Sequence, residues 1–359
     1  MNLFSHVFSH LFSHLFSRLR VLGALAVSAL LAACGDGRTV LVIYSPHGKE
    51  LLSHYEVEFE KRHPTVDVQW LDIGSQEILD RVRAEKVNPQ ADVWFGAPAE
   101  MFERAAKDDL FVAYKPTWAA AVDTATHDAN DRWYGTYLTP EVIAYNRDAI
   151  READAPSDWD ALLDPKWKGK IVIRDPVASG TMRAIFGGII LRSIAKTGKS
   201  DDGFAWLKAL DAQTREYALN PTIMYQKLGR REGVITLYNM PDIATLEART
   251  KIPISWKVPT SGTPVLVDAI AIMKGTRHRE LAQQYYEFVT SRAAMQYAAD
   301  SLYRIPVRAD LPLDSLPKWI RDAKTGITPM STNRKLLADS LNLWMRRWDS
   351  EIRNSSKRS

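Results

Sequence analysis

A single cysteine, Cys34, stands in the 359 residues, so the chain can close no internal disulfide and offers no thiol-based metal cluster. Beyond that cysteine no apolar run is long enough to cross a bilayer. The same stretch has no HxxxH or CxxC spacing, no low-complexity linker and no internal repeat. A GxSxG elbow is also missing, and "VASGT" lacks its first glycine, so no nucleophile–base pairing suggests an enzyme. Lys and Arg number 47 against 43 Asp and Glu, without a basic tract or a basic–aromatic strip. That balance argues against a nucleic-acid partner.

What is present begins with a leader. "MNLFSHVFSHLFSHLFSRLR" repeats an LFSH-like tetrad, has no acidic residue and ends in Arg18 and Arg20; "VLGALAVSALLAAC" follows as a short apolar core. This is the build of a signal peptide over residues 1–33. Leu31-Ala32-Ala33-Cys34 looks like a bacterial lipobox, with the Cys34 thiol as the atom that takes the lipid. The expected mature chain is lipid-anchored to a membrane on the extracytoplasmic side. It keeps 326 residues and a net charge of +2, because Arg18 and Arg20 leave from a total of +4. Its length predicts two lobes.

Strand-like runs then alternate with helical ones. "TVLVIYS" precedes a helix over 49–62, "VDVQWLD" precedes "SQEILDRVRAEK", and "ADVWFGAP" precedes "EMFERAAKDDL". That alternation predicts an α/β fold with a parallel sheet and crossover helices. "WYGTYLTPEVIAYN" reads as two β pieces meeting at Thr139-Pro140, and "TPVLVDAIAIMKG" as a hairpin-like stretch. Between them lie "KIVIR", a helix over 181–195, "GFAWLKALDAQT", "TIMYQKLGRREG" and "GVITLYN".

In open parallel sheets ligands bind beyond the carboxyl ends of the strands. The residues there are Ser45, His47 and Gly48 after the first strand, Ser75 after the second, and Gly96 and Ala97 after the third. Ser179, Gly180 and Thr181 follow "KIVIR", and Tyr238, Asn239 and Asp242 follow "GVITL". Helix capping accounts for one such small or hydroxylic switch. Five in one chain predict a binding surface, in which uncovered N–H groups at helix starts receive an anion. Hydroxyls and His47 add donors; Asp242, Asp268 and Asn239 are candidates to read a hydroxyl or amine elsewhere on the solute. Packing is the reading for Trp94, Trp133 and the Tyr285-Tyr286 pair.

The lipobox, "VIYSPHGKELLSHYEVEFEKRHPTVDVQW", "GSQEILDRVRAEKVNPQADVWFGAP", "DWDALLDPKWKGKIVIRDPVASGTMRAIF" and "PTSGTPVLVDAIAIMKG" together resemble the extracellular solute-binding proteins of ABC importers. The similar cluster contains ferric-iron, phosphonate and sugar-phosphate binders. The resemblance implies a type II periplasmic-binding-protein fold: two α/β lobes, two crossing strands near 138–141 and 262–265, and the ligand in the cleft between. Lobe 1 would span 39–138 and 263–306, lobe 2 139–262, with a helical tail over 307–352 packing on lobe 2. It also implies hinge closure, delivery to a permease and a monomer with no cofactor.

Ferric members hold iron with a His, a Glu and two adjacent tyrosines. Here Gly48 occupies the His site, Ala97 the Glu site, and Tyr238-Asn239 or Asn239-Met240 the tyrosine pair. The resemblance therefore favours a small oxyanion, an aminophosphonate for example, over direct ferric binding. A surface lipoprotein that binds proteins through Trp319, Trp344 and Trp348 is the reading from another class.

Overall fold

The computed structural model describes residues 37–330, 333–353 and 355; the leader and Cys34 lie outside them. Lobe 1 opens with β1 (Thr39–Ser45), α1 (Lys49–Arg62), β2 (Val66–Asp72), α2 (Ser75–Ala84), β3 (Val93–Pro98), α3 (Ala99–Lys107) and the short β4 (Phe111–Val112). β1 pairs in parallel with both β2 and β3. From Leu41 onward it is buried or half-buried on both faces, as befits a strand under crossover helices. α1 turns Leu51, Leu52, Tyr55 and Phe59 inward, a helical stripe that seals one side of the sheet.

The chain then passes to the second lobe through β5 (Tyr134–Asn146). The break expected at Thr139-Pro140 is absent: β5 is one strand of 13 residues. Lobe 2 adds β6 (Ile171–Arg174), α4 (Gly180–Thr197), α5 (Asp201–Gln213), β7 (Thr214–Ala218), α6 (Pro221–Gly229), β8 (Ile235–Asn239), α7 (Met240–Arg249) and β9 (Ile254–Lys257). The chain returns through β10 (Val265–Met273), also one strand rather than a hairpin. α8 (Arg279–Val289), α9 (Arg292–Leu302) and β11 (Ile305–Pro306) complete lobe 1, and α10 (Lys318–Gly326) and α11 (Arg334–Glu351) form the tail.

The main strand order is β2-β1-β3-β10-β5-β8-β6-β7. β10 lies antiparallel to β3 and to the first half of β5, and β8 lies antiparallel to its second half, so the sheet is mixed. β5 therefore belongs to both lobes, changing partner at Pro140 and Glu141. The return crossing runs beside it: Glu141 N donates to Pro264 O at 3.0 Å, and Thr263 Oγ1 donates to Glu141 O at 2.6 Å. The two crossings thus lie side by side between the lobes.

The tail leaves lobe 1 later than residue 307. Arg308 donates to Thr290 O at 2.7 Å, and Leu311 packs with the lobe 1 core. Farther on, α11 sends Leu337, Leu341, Trp344 and Trp348 into the core of lobe 2 beside Phe186 and Trp206. Trp94, Trp133, Tyr285 and Tyr286 are likewise core residues.

Candidate functional site

A cleft of about 670 Å³ lies between the lobes at the carboxyl ends of β1, β2, β6 and β8. Its walls include His47, Gly48, Ser75, Ala97, Ser179, Gly180, Thr181, Tyr238, Asn239, Asp242 and Asp268. Eleven of the thirteen positions proposed from sequence thus converge on one space. Ser45 and Gly96 do not line it.

Ser45 is fully buried, and its Oγ accepts the His47 N–H at 3.1 Å, so it shapes the turn. Gly96 stands behind His47. With φ +93°, it occupies a conformation that favours glycine, and a β-carbon there would lie 2.5 Å from His47 Nε2. The ring packs edge-on against Phe95 and Tyr137, and Arg304 Nη2 donates to the His47 carbonyl at 3.3 Å. Burial first, then the Arg304 charge, holds the imidazole well below its ordinary pKa. His47 is neutral at physiological pH and brings no positive charge to the cleft. Its neighbour Ala97 has φ +98°, a strain of about 1–3 kcal/mol that structures tolerate mostly at functional turns.

Two helix starts face each other across the gap. α2 begins after Gly74, which has no side chain to cap it. α4 begins after Ser179, whose Oγ accepts from Met182 N at 3.3 Å and so leaves the N–H groups of Gly180 and Thr181 unclaimed by that cap. A β-carbon on Gly180 would lie 3.0 Å from Ser75 Oγ and 3.1 Å from Pro98 Cδ; one on Gly74 would lie 3.2 Å from Ala178 O. The lobes are in contact here, and the positive ends of two macrodipoles meet in the cleft.

Arg174 stands beside them. It ends β6, anchors its Nε to Leu219 O at 3.0 Å, and places Nη2 3.5 Å from the β-carbon position of Gly74. Arg304 is buried at 7 % exposure, pairs with Asp242 at 3.0 Å, and keeps an Nε without a partner among the described residues. Neither arginine was singled out from the sequence. Arg174 left a faint signal, as the one charged residue closing an apolar strand at a strand-to-helix switch. Arg304 left none, because only the fold brings the end of α9 to this wall.

Acidic groups line the same cleft. Asp268 sits where β10 slips register against both β3 and β5, a bulge that re-aims its side chain. Its Oδ2 accepts from Thr139 Oγ1 at 2.7 Å, and burial pushes the carboxyl up to about 6 against that bond and the Arg304 charge. Asn239 is engaged locally: its Oδ1 accepts from Asp242 N and its Nδ2 donates to Asp242 Oδ2, both at 2.9 Å, so it caps α7. Asp72 and Tyr225, also missed from sequence, complete the wall. The Tyr225 hydroxyl is buried without a partner among the described residues, and its ring stands edge-on to Tyr238 at 6.0 Å. Burial raises both phenols, so each keeps its proton. Among the described residues no group of three or more His, Cys, Asp or Glu is placed to hold a metal ion.

The sequence profile of a family described as bacterial extracellular solute-binding proteins matches residues 88–325. A protein of Sinorhizobium fredii, provisionally named as an ABC transporter periplasmic-binding protein, is 28% identical over 352 aligned residues, covering 92% of this chain and 90% of its own. One of Salmonella typhimurium, provisionally named as a 2-aminoethylphosphonate-binding periplasmic protein, is 27% identical and covers 92% of this chain and 98% of its own. The periplasmic binding protein AfuA of Actinobacillus pleuropneumoniae, solved with fructose-6-phosphate, superposes with a TM-score of 0.76. At 22% identity over 89% of this chain and 99% of that one, it is similar in fold.

Proposed function

The chain belongs to the bacterial extracellular solute-binding protein family, and from that membership we propose that its cleft captures a small phosphonate or phosphate ester, an aminophosphonate above all. It is a solute-binding receptor of an ABC importer and works outside the cytoplasm with a permease as partner. One observation carries the choice of solute: the starts of α2 and α4, from opposite lobes, meet across a gap beside Arg174. Converging N–H groups and a guanidinium donate charge-assisted hydrogen bonds to the oxygens of a tetrahedral anion. The carboxylates of Asp72, Asp242 and Asp268 line the same cleft and can accept from an ammonium group. Because both lobes contribute, the bound solute favours the shut state over the open one.

Ferric iron is the lesser reading. Fe(III) seeks anionic oxygen ligands, whereas Ala97 offers no carboxylate and, among the described residues, no group of three or more His, Cys, Asp or Glu is placed to hold a metal ion. Calorimetry with 2-aminoethylphosphonate, glycerol phosphate and ferric citrate separates the two. Micromolar or tighter binding of the phosphonate, lost about a hundredfold in Arg174→Ala, is the expected result. Ferric uptake with a phenolate charge-transfer band and no heat from either phosphorus compound overturns it.

Cys34, outside the described residues, is proposed as the lipid-bearing anchor, and residues 1–33 as the leader removed before it. Mass spectrometry of the amino-terminal peptide from the membrane fraction tests this; an unmodified Cys34 in purified membranes refutes it.

A further inference from the structure

Strands β1, β2 and β3 run parallel and send their carboxyl ends to the cleft, so their amino ends lie at the opposite pole of lobe 1. The chain enters β1 at that pole through Thr39. There the loop around Lys86–Pro89 and the turn Lys274–Arg277 flank a groove of about 410 Å³. Its walls carry Lys86, Lys274 and Arg277 against one carboxylate, Asp109, which already pairs with Lys274. Lys86 Nζ donates to a backbone oxygen, that of Asp108, at 2.6 Å. Arg277 and its neighbour Arg279 are exposed and have no ion-pair partner among the described residues. Val87 stands at the lip between Lys86 and Asn88 and is 98% exposed.

We propose that this pole rests on anionic lipid headgroups, holding the receptor upright on lobe 1 with its cleft clear of the bilayer. The inference rests on the reading of Cys34 as the anchor. Four residues separate Cys34 from Thr39, a span of five chain steps that reaches at most about 18 Å when extended. The groove lies about two strand spacings from β1, roughly 10 Å. Tether and groove therefore touch one surface together. Lys86, Arg277 and Arg279 face lipid phosphates, each contributing on the order of fivefold to binding at low salt, and Val87 enters the headgroup boundary. Gly275, with φ +89° and a β-carbon position 3.1 Å from Pro89 Cγ, holds the turn against the loop, so the surface is formed in advance.

The test uses the purified lipidated protein in vesicles of phosphatidylcholine alone or with phosphatidylglycerol, read by hydrogen exchange. Slower exchange at residues 86–90 and 274–279 in the anionic vesicles only, reversed by 0.5 M salt and by Lys86→Glu with Arg277→Glu, supports the proposal. Equal exchange in both vesicles, or protection at the cleft rim instead, overturns it. The mass of the Cys34 peptide from the same sample distinguishes failure of the anchor from failure of the groove. If Cys34 is unmodified, co-sedimentation of the protein with anionic vesicles still reads the groove, and no co-sedimentation refutes it.

Discussion

Gly180, the first residue of α4 in lobe 2, stands against Ser75, the first residue of α2 in lobe 1: a β-carbon on the glycine would lie 3.0 Å from the serine Oγ. This contact ties closure to recognition, because the backbones that meet are the ones whose N–H groups face the cleft. The ring of Pro98 limits the same point from the side, at 3.1 Å.

Gly180→Val is expected to weaken solute binding a hundredfold or more while leaving the melting temperature of the free protein within a few degrees. The added methyls hold the lobes apart without entering either core. Ser179→Ala is milder: it removes one donor and one cap, worth about 1 kcal/mol. Calorimetry and a thermal melt on both variants check the ranking. Equal affinities in the two would show that this seam does not close on the solute.

A second test concerns His47 and Gly96. Gly96→Ala places a methyl in the imidazole ring and forces a positive φ on alanine, so a loss of about 2–4 kcal/mol is expected. His47→Ala should relieve the clash but not the backbone strain. The double variant is therefore expected to be about 1–2 kcal/mol more stable than the sum of the singles, measured by urea unfolding. Strict additivity would mean that ring and glycine are not in contact.

Much of this site was legible because parallel strands end where helices begin, and a switch leaves its residues visible in order. The hinge was not. Pro140 interrupts a β pattern and reads as a strand end. In the structure it sits at the last rung of the β10 ladder, where the chain changes partners and its missing N–H costs nothing. β10 misled in the same way, because the bulge at Asp268 breaks its alternation and suggests a turn. β7, "TREYA", carries too many polar residues to announce a strand. Arg304 and Tyr225 reach the cleft through tertiary packing alone, which no local spacing encodes.

The pH dependence of stability follows from the buried acids. Burial raises the Glu100 carboxyl to about 7, against its own backbone hydrogen bond and the Arg183 charge. Asp268 is held at about 6, and burial raises Glu141, with both oxygens unpartnered among the described residues, well above the ordinary carboxylate range. The folded state thus binds these protons more tightly than the unfolded chain, whose carboxyls titrate near 4. Their contribution is complete below about pH 4 and declines as pH rises through 6 and 7. Glu100 alone accounts for roughly 3 kcal/mol of that decline. Urea midpoints from pH 4.5 to 8 should fall with this sign, and Glu100→Gln should flatten the curve. A midpoint that climbs over that range in the native protein contradicts the assignment.

The tail helix offers a way to change affinity from outside the cleft. Asn342 on α11 accepts through Oδ1 from Arg104 of lobe 1 at 3.1 Å and also from Arg183 of lobe 2, while Asp339 one turn earlier pairs with Lys107 of lobe 1 at 3.3 Å. α11 is rooted in the lobe 2 core by Trp344 and Trp348, so these bonds span the two lobes. Removing them lowers the fraction of molecules that are shut, and apparent affinity falls by the same factor. Asn342→Ala is expected to weaken solute binding about three- to tenfold, although Asn342 does not line the cleft. Small-angle scattering of the solute-free variant should show a larger radius than the native protein. The Asp339→Lys and Lys107→Asp exchange tests the contact independently: each single change should weaken binding and the pair restore it. If the pair behaves as the sum of its parts, α11 belongs to lobe 2 alone and plays no part in closure.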